Sequence, residues 1–240
     1  MQAVIPAAGR GSRLDSLTDD RPKALVELLD RPLLEHVFDA LFPRASEYIV
    51  VVGYLGTQIQ DRFGEAYDGV PITYVEQTDR VGLADAVGRA EPVIDGSFLQ
   101  LNGDNVLSAP IDTVVERHYQ TGADATLLVE EVSRERAKRG GVLEMSDGTP
   151  VRIVEKPDDP PSRLATTGCF AFSPRIFDAI DSIEPSDRGE YELPDAIEWL
   201  LHNGGTVETV RLDGRRVNVN TLADIERAEQ LLSDSSDRLA

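Results

Sequence analysis

Residues 3–14 of the chain read Ala-Val-Ile-Pro-Ala-Ala-Gly-Arg-Gly-Ser-Arg-Leu, and Pro22-Lys23 follows shortly after. The apolar start of this stretch predicts a short strand. The small residues after it predict a loop whose backbone N–H groups can approach a ligand closely. The two cations Arg13 and Lys23 are suited to neutralising a polyphosphate. We therefore predict a nucleoside triphosphate site lined by Ala7, Ala8, Gly9, Gly11, Arg13 and Lys23.

The spacing within this loop excludes two common phosphate-binding loops. A dinucleotide-binding loop has glycine at the sixth place of its motif, where this chain has Leu14. A Walker A loop has lysine directly after its last glycine, whereas Ser12 and Arg13 follow Gly11. A glycine-rich turn that binds nothing remains the alternative for the loop taken alone.

Short sequence blocks follow this loop in a fixed order. They are Gln77 with Gly82-Leu83-Ala84, Gly103-Asp104-Asn105, Glu155-Lys156-Pro157, Thr167-Gly168 and Arg188-Gly189-Glu190-Tyr191-Glu192. Together with the first loop they resemble the sugar-1-phosphate nucleotidyltransferase family, especially the glucose-1-phosphate uridylyl- and thymidylyltransferases. The resemblance implies an α/β fold with a Rossmann-like, mostly parallel (mixed) sheet and helices on both faces.

Apolar runs and amphipathic stretches alternate along the chain, which also indicates an α/β protein. The predicted strands are 3–5, 48–52, 72–75, 98–101, 125–132, 142–145 and 150–154, the last two joined by a turn at 146–148. The predicted helices are 33–41, 57–63, 83–90, 193–201 and 222–232, with a frayed tail from Ser233. We expect a single domain over 1–240, with a nucleotide-binding part at about 1–110 and a sugar-phosphate-binding part at about 111–232.

The composition is strongly acidic, with a formal net charge of −19. Such a surface repels nucleic acid and anionic membranes, so we expect neither as a partner. Lysine is scarce, since Lys23, Lys138 and Lys156 are the only three in the sequence. An acidic, lysine-poor chain suggests adaptation to high salt, because salt screens the repulsion between surface carboxylates. An acidic protein without any adaptation to high salt remains the alternative.

Cellular location is read from the apolar runs and from cysteine usage. No apolar stretch approaches the roughly 18 residues of a membrane span, and no charged segment leads into an apolar run at the N-terminus. The single cysteine, Cys169, cannot form an internal disulfide, and we expect it to be buried. We therefore expect a soluble cytoplasmic protein and leave a homo-oligomer open.

The resemblance assigns roles to polar residues outside the first loop. It implies that Asp104 binds Mg²⁺ through oxygen ligands, as suits a carboxylate beside a glycine at a strand end. It implies that Gln77 and the backbone of Gly82 read the pyrimidine base. Without the resemblance, an exposed glutamine would not indicate base binding, and a Gly-Asp-Asn turn would not indicate metal binding.

The resemblance also implies a sugar-phosphate site in the second half of the chain. Glu155 would accept hydrogen bonds from sugar hydroxyls, and Lys156 would hold the sugar phosphate. Gly141, Thr167 and Gly168 would line the pocket. The family often has Tyr-Gly where this chain has Gly140-Gly141, so the sugar stays open.

The second metal ligand is the other departure from the resembled pattern. The uridylyl- and thymidylyltransferases usually present Asp-x-Gly before the C-terminal helix, where this chain has Asn218-Val219-Asn220. Asparagine can still offer a carbonyl oxygen to Mg²⁺. We therefore predict Asn218 or Asn220 as the second ligand. The alternative is that these asparagines only form a turn before the helix.

The resulting hypothesis is Mg²⁺-dependent transfer of a nucleotidyl group from UTP or dTTP to a sugar 1-phosphate, with glucose 1-phosphate as the expected acceptor. The products are a nucleotide sugar and pyrophosphate. Arg13, Lys23 and Asp104 would be the catalytic residues. An N-acetylglucosamine-1-phosphate uridylyltransferase, a cytidylyltransferase and a nucleotide-sugar-binding regulator without turnover are the alternatives.

Overall fold

The computed structural model describes residues 1–42 and 44–236. Its strands are β1 (Gln2–Pro6), β2 (Glu27–Leu28), β3 (Arg31–Pro32), β4 (Glu47–Val52), β5 (Ala66–Tyr67), β6 (Val70–Glu76), β7 (Phe98–Leu101), β8 (Asn105–Leu107), β9 (Ala125–Glu131), β10 (Gly141–Ser146), β11 (Thr149–Glu155), β12 (Leu164–Phe172), β13 (Val207–Arg211) and β14 (Arg216–Asn218). Its helices are α1 (Leu33–Leu41), α2 (Gly56–Phe63), α3 (Leu83–Gly88), α4 (Asp112–Thr121), α5 (Arg134–Ala137), α6 (Arg175–Ser182), α7 (Leu193–His202) and α8 (Leu222–Ser236). Short 3-10 helices cover Ser12–Thr18, Lys23–Leu25 and Glu91–Val93.

The chain divides into two compact units, and the first is built from three separate stretches: Met1–Arg80, Leu101–Ile111 and the chain from Asp213 onward. Its sheet pairs β1, β4 and β6 in parallel, with β5 antiparallel at the edge of β6. Strands β1 and β4 are almost continuously buried, as their apolar runs predict for a parallel sheet. The parallel arrangement brings the carboxyl ends of β1, β4 and β6 to one edge.

A second core of the first unit joins its sequence-distant stretches. Strand β14 pairs antiparallel with β8, so that Asn218 lies opposite Asn105. Apolar residues from β2, α1, β8, α8 and the segment between β14 and α8 pack together: Leu28, Leu33, Val106, Val219, Ala228 and Leu231. This packing fixes the loop after β7 against the segment that precedes α8.

The second unit comprises Val81–Gln100 and Asp112–Leu212. Its strands are ordered β11-β10-β12-β7, with β9 also pairing with β12 and β13 pairing with β9. These pairs are antiparallel at β10/β11 and β9/β12 and parallel at β9/β13. Phe98 of β7 stacks on Phe177 of α6 with ring centroids 5.3 Å apart. The predicted α/β fold with a mixed sheet is confirmed, and antiparallel pairs occur in both units.

The predicted strands and helices all occur, with bounds that differ by a few residues. One expectation was wrong: α8 continues through Ser233 to Ser236 instead of fraying from Ser233, and the remaining tail lies outside the described residues. The two units interleave in sequence. The expected division into a nucleotide-binding part and a sugar-phosphate-binding part near residue 110 stays a prediction. Within 1–42 and 44–236, no helix combines the length and the apolar character that crossing a membrane requires.

Candidate active site

The loop after β1 is held in a fixed position at the edge of the first unit's sheet. Ala7 N donates to Val51 O at 2.8 Å, and Thr18 Oγ1 donates to Gly11 O at 3.1 Å. Gly11 has φ of +73°, and a Cβ there would lie 2.9 Å from the Cβ of Lys23. Glycine is therefore required at this position both for its backbone conformation and for the close packing of Lys23.

Lys23 brings together the charged residues that the sequence indicates. Its Nζ lies 2.5 Å from Asp104 Oδ2 and 3.0 Å from Asn220 Oδ1. The Lys23 and Asp104 side chains are 12% and 23% exposed, so solvent screens their attraction less than that of a surface pair. Arg13 Nη2 also donates to Asn220 Oδ1, at 3.0 Å. The resulting cluster joins the loop after β1, the turn after β7 and the segment before α8.

Asn220 is oriented by Asn218 and by Asp224, and sequence reasoning did not single out Asp224. Its Nδ2 donates to Asn218 Oδ1 at 2.7 Å, and its backbone N donates to Asp224 Oδ2 at 3.1 Å. Thr221 donates to the same carboxylate oxygen through N and Oγ1, at 2.8 and 2.7 Å. Burial raises the pKa of Asp224, but the hydrogen bonds from Thr221 and Asn220 outweigh it and hold the pKa below its ordinary value. The signal for Asp224 was the Thr221-x-x-Asp224 spacing at the start of a helix, which resembles a capping box.

The oxygen donors of this cluster are of the type that divalent cations bind, and a metal site here stays a prediction. Asp104 and Asn218 offer carboxylate and carbonyl oxygens, which are the ligands that Mg²⁺ prefers. Asn220 Oδ1 already accepts from two cations, Arg13 and Lys23, and is therefore a poor metal ligand. Among the residues described, no group of three or more His, Cys, Asp or Glu side chains is gathered as a metal site.

The residues expected near the base occupy tightly constrained backbone positions, one in each unit. In the first unit, Gln77 directly follows β6, is buried, and its N donates to Val52 O at 2.8 Å. In the second unit, Gly82 has φ of +126°, and a Cβ there would overlap the backbone of Tyr191. The base-reading roles of Gln77 and Gly82 stay predictions.

The predicted Glu155–Lys156 pair lies at the open end of the β10/β11 hairpin, in the second unit. Gly141 is opposite Glu155 in the register, and Lys156 N donates to Gly140 O at 3.0 Å. Lys156 Nζ lies 3.2 Å from Glu155 Oε1. Lys156 has φ of +43°, a left-handed conformation that costs a lysine about 1–2 kcal/mol. This backbone turn presents the lysine at the end of the strand.

Residues predicted to line the sugar pocket lie on the neighbouring strands of the same unit. A Cβ on Gly141 would meet Thr166 Oγ1 at 3.0 Å and Pro194 Cγ at 3.1 Å, so only glycine fits there without displacement. Thr167 is buried, and its hydroxyl donates to Leu128 O at 2.9 Å, within the sheet. Gly168 has φ of +80° where the β9/β12 register shifts. Their contact with a sugar stays a prediction.

Carboxylates crowd the hairpin end more than the sequence alone indicated. Burial raises the pKa of Glu155; Lys156 opposes that shift, and Glu192 adds to it. Glu192 is itself buried and accepts from Arg188 Nη2 at 2.7 Å. Burial also raises the pKa of Asp195, with Glu192 contributing. Glu155 and Glu192 belonged to recognised sequence blocks, whereas Asp195 carried no sequence signal.

Cys169 is buried, and His36 and His118 each contact a neighbouring residue of the fold. Burial raises the pKa of the Cys169 thiol to about 12, which agrees with the expectation of a buried thiol. His36 contacts Leu28 O at 3.1 Å, and buried His118 contacts Thr126 Oγ1 at 3.2 Å. Burial lowers the pKa of both rings.

Comparison with known proteins connects this geometry to a family. Residues 2–230 match the nucleotidyl transferase family. The UTP–glucose-1-phosphate uridylyltransferase AglF of Haloferax volcanii is 43% identical over 238 residues, which cover 98% of each chain. A glucose-1-phosphate thymidylyltransferase of Streptomyces antibioticus is 33% identical, over 100% of this chain and 68% of its own.

A solved structure from Bacillus anthracis shares the fold closely. That protein is described as a glucose-1-phosphate thymidylyltransferase in complex with a sucrose. It superposes with a TM-score of 0.88 at 28% identity, covering 98% of this chain and 96% of its own. The family match and the 43% identity to AglF over nearly the full length agree with the family that the sequence blocks predicted. This chain is a member of the nucleotidyl transferase family and a nucleotidyltransferase enzyme.

Proposed function

We propose that this enzyme transfers a uridylyl group from UTP to a sugar 1-phosphate, with glucose 1-phosphate as the first acceptor to test and dTTP as the competing donor. The observation that carries the proposal is the Arg13–Lys23–Asp104–Asn220 cluster, because it places two cations and a carboxylate beside a loop of small residues. UTP comes first because the uridylyltransferase AglF has higher identity than the thymidylyltransferase relative.

The reaction is attack by a phosphate oxygen of the sugar 1-phosphate on the α-phosphorus of UTP. A new O–P bond forms as the bond from the α-phosphorus to the bridging oxygen breaks, and pyrophosphate leaves with that electron pair. The attacking oxygen is already an anion, so no side chain has to remove a proton. The protein's task is to orient two polyanions and to stabilise charge in an in-line transition state.

On the nucleotide side, Arg13 and Lys23 bind the phosphates. Both share Asn220 Oδ1 as an acceptor, so they are oriented before the ligand arrives. Asn220 is neutral and therefore leaves their charge available, which an aspartate there would not. Ala7, Ala8, Gly9 and Gly11 allow close approach of the backbone, and Gln77 with Gly82 reads the base.

On the acceptor side, Lys156 binds the sugar phosphate, and Glu155 accepts hydrogen bonds from sugar hydroxyls. Burial of Glu155 supports this role, because a desolvated carboxylate gains more from such donors than an exposed one. Gly141, Thr167 and Gly168 shape the pocket. Open space at Gly140, where no atom lies within 4 Å of an added Cβ, leaves room for a substituted sugar.

Mg²⁺ would be held by Asp104 and Asn218, and when bound it would neutralise phosphate oxygens of the nucleotide. In the free protein the Lys23 ammonium already pairs with Asp104. A cation must therefore compete with Lys23 for the carboxylate until the nucleotide draws the ammonium toward its phosphates. We infer that Mg²⁺ binds weakly to the free enzyme and mainly together with the nucleotide.

Pyrophosphate release tests the proposed reaction over a matrix of UTP, dTTP, CTP and sugar 1-phosphates, from low to molar KCl. The salt series is included because the net charge of −19 predicts greater stability at high salt. Turnover with UTP and glucose 1-phosphate is expected. Turnover only with CTP or N-acetylglucosamine 1-phosphate would reassign the substrates. Nucleotide binding without turnover for any combination of nucleotide and sugar 1-phosphate would favour a regulator.

Calorimetric titration of Mg²⁺, with and without UTP, tests the metal proposal. Wild type should bind Mg²⁺ weakly alone, and Asn218→Asp should bind it more tightly while keeping or raising activity. Tight binding by the free wild type, or no change in Asn218→Asp, would show that Asn218 is not at the metal.

A further inference from the structure

A second group of cations lies on the loops of the first unit. Two guanidinium groups contact the Tyr54 ring, with Arg10 Cζ at 5.2 Å and Arg80 Cζ at 5.8 Å from the ring centroid. These residues follow β1, β4 and β6, the three neighbouring parallel strands. In parallel α/β sheets, ligands bind beyond the carboxyl ends of the strands. The three side chains, which we call the Tyr54 cluster, therefore meet at the ligand-binding edge.

The Tyr54 cluster is held in place by backbone contacts. Tyr54 N donates to Ala8 O at 3.3 Å, and Tyr54 Oη donates to Asp19 O at 2.8 Å. A Cβ on Gly53 would meet Ala8 Cβ at 2.8 Å and Gln77 O at 3.1 Å, so the three loops are in close contact. The ring is thus a fixed platform for both guanidinium groups.

Charge distinguishes this cluster from the other arginines of an acidic chain. Arg10 and Arg80 are exposed, and within the described residues neither forms an ion pair with a carboxylate, whereas most arginines there do. Attraction to the ring supplies only about 0.5–1 kcal/mol for each exposed cation. The two like charges repel each other. An anion bound by both guanidinium groups would relieve that repulsion.

We propose that Arg10 and Arg80, supported by Tyr54, bind the phosphates of the nucleotide beyond the α-phosphate, those that leave as pyrophosphate. This inference rests on the proposed function of the same site. Each guanidinium group lies over the ring, so the cluster offers two cations to a ligand. A guanidinium fork binds two phosphate oxygens at once, which suits the most highly charged end of a nucleotide. A Cβ added to Gly9, beside Arg10, would meet nothing within 4 Å, so the approach is open.

Calorimetry with UTP, UDP, UMP and inorganic pyrophosphate tests the subsite on the full chain. Arg10→Ala and Arg80→Ala should each raise the Kd for UTP about tenfold, or about 1.4 kcal/mol. The Kd for UMP should change less than twofold, and the double variant should lose most pyrophosphate affinity. Arg152→Ala is the matched control, because Arg152 is an exposed arginine of β11 without a carboxylate partner in the described ranges.

Equal losses for UMP and UTP would overturn the proposal by placing the cluster at the nucleoside. Unchanged UTP binding in Arg10→Ala and Arg80→Ala would overturn it while leaving the proposed function intact. Wild type that binds neither UTP nor pyrophosphate would contradict both. Arg10→Lys, which keeps the charge but loses the fork, should give an intermediate Kd, and a wild-type melting temperature in each variant shows that the fold is retained.

Discussion

The two candidate binding regions are assembled in different ways. Around Lys23, the interacting side chains come from three distant parts of the sequence and are held by hydrogen bonds through Asn220. Around Lys156, the ion pair joins adjacent residues, and a left-handed backbone turn at the end of one hairpin positions the lysine. The first arrangement depends on tertiary structure and the second on local structure. We therefore expect larger and more coupled effects from substitutions in the first.

Removal of Lys23 should have the largest effect. Lys23→Ala and Arg13→Ala should each lower kcat about 100-fold, or roughly 2.7 kcal/mol of transition-state stabilisation. The reason is that both cations lie where negative charge shifts around the α-phosphorus in the transition state. Lys23→Ala should also tighten Mg²⁺ binding to the free enzyme, since it frees Asp104. Steady-state kinetics and calorimetry measure the two effects. Near-normal kcat in a folded variant would end the catalytic assignment.

Glycine substitutions in the first region should separate packing from open space. Gly11→Ala should destabilise the protein by about 1–3 kcal/mol, because it forces a positive φ on alanine and brings its Cβ against Lys23. Gly9→Ala is the matched control, since its Cβ would meet no atom within 4 Å. Chemical denaturation measures both. Equal stability of the two variants would mean that the loop does not depend on this contact.

Lys156→Ala should act on one substrate. We expect about a tenfold rise in KM for the sugar phosphate and little change in KM for the nucleotide, because the contact exists already in the ground state. Lys138→Ala is the control, since Lys138 and Lys156 side chains are both 41% exposed. Equal effects on both substrates would place Lys156 elsewhere in the site.

Glu155→Gln should give the smallest effect, visible as a pH dependence of stability. Burial raises the pKa of Glu155 above its ordinary 4.5, so folding favours the neutral carboxyl. That stabilisation is present below the ordinary pKa and is lost as pH rises through the raised value. Wild type should therefore lose stability relative to Glu155→Gln across this window, in melts from pH 4 upward. If the melting temperatures of wild type and Glu155→Gln differed by the same amount at every pH, Glu155 would not be in a desolvated environment.

The sequence predicted those parts of the fold that local patterns determine. The apolar run at 98–101 became β7 with the predicted bounds, and the turn at 146–148 joined the predicted hairpin. The pairing of β8 with β14 could not be predicted, because both strands are short and most of the second unit separates them in sequence. Arg13, Lys23 and Asp104 were therefore identified individually, whereas the position of Asn220 between the two cations required the tertiary structure.

The interleaved first unit has a consequence for biosynthesis. A ribosome releases the loop, Lys23 and Asp104 long before β14 and α8, at about 5–20 residues per second. Until then Leu28, Leu33 and Val106 lack the apolar cover of Val219, Ala228 and Leu231. The nascent chain can thus complete the hairpin of the second unit while the side chains around Lys23 are still without Asn220. Of the three stretches that form this cluster, the one translated last is the one that carries Asn220.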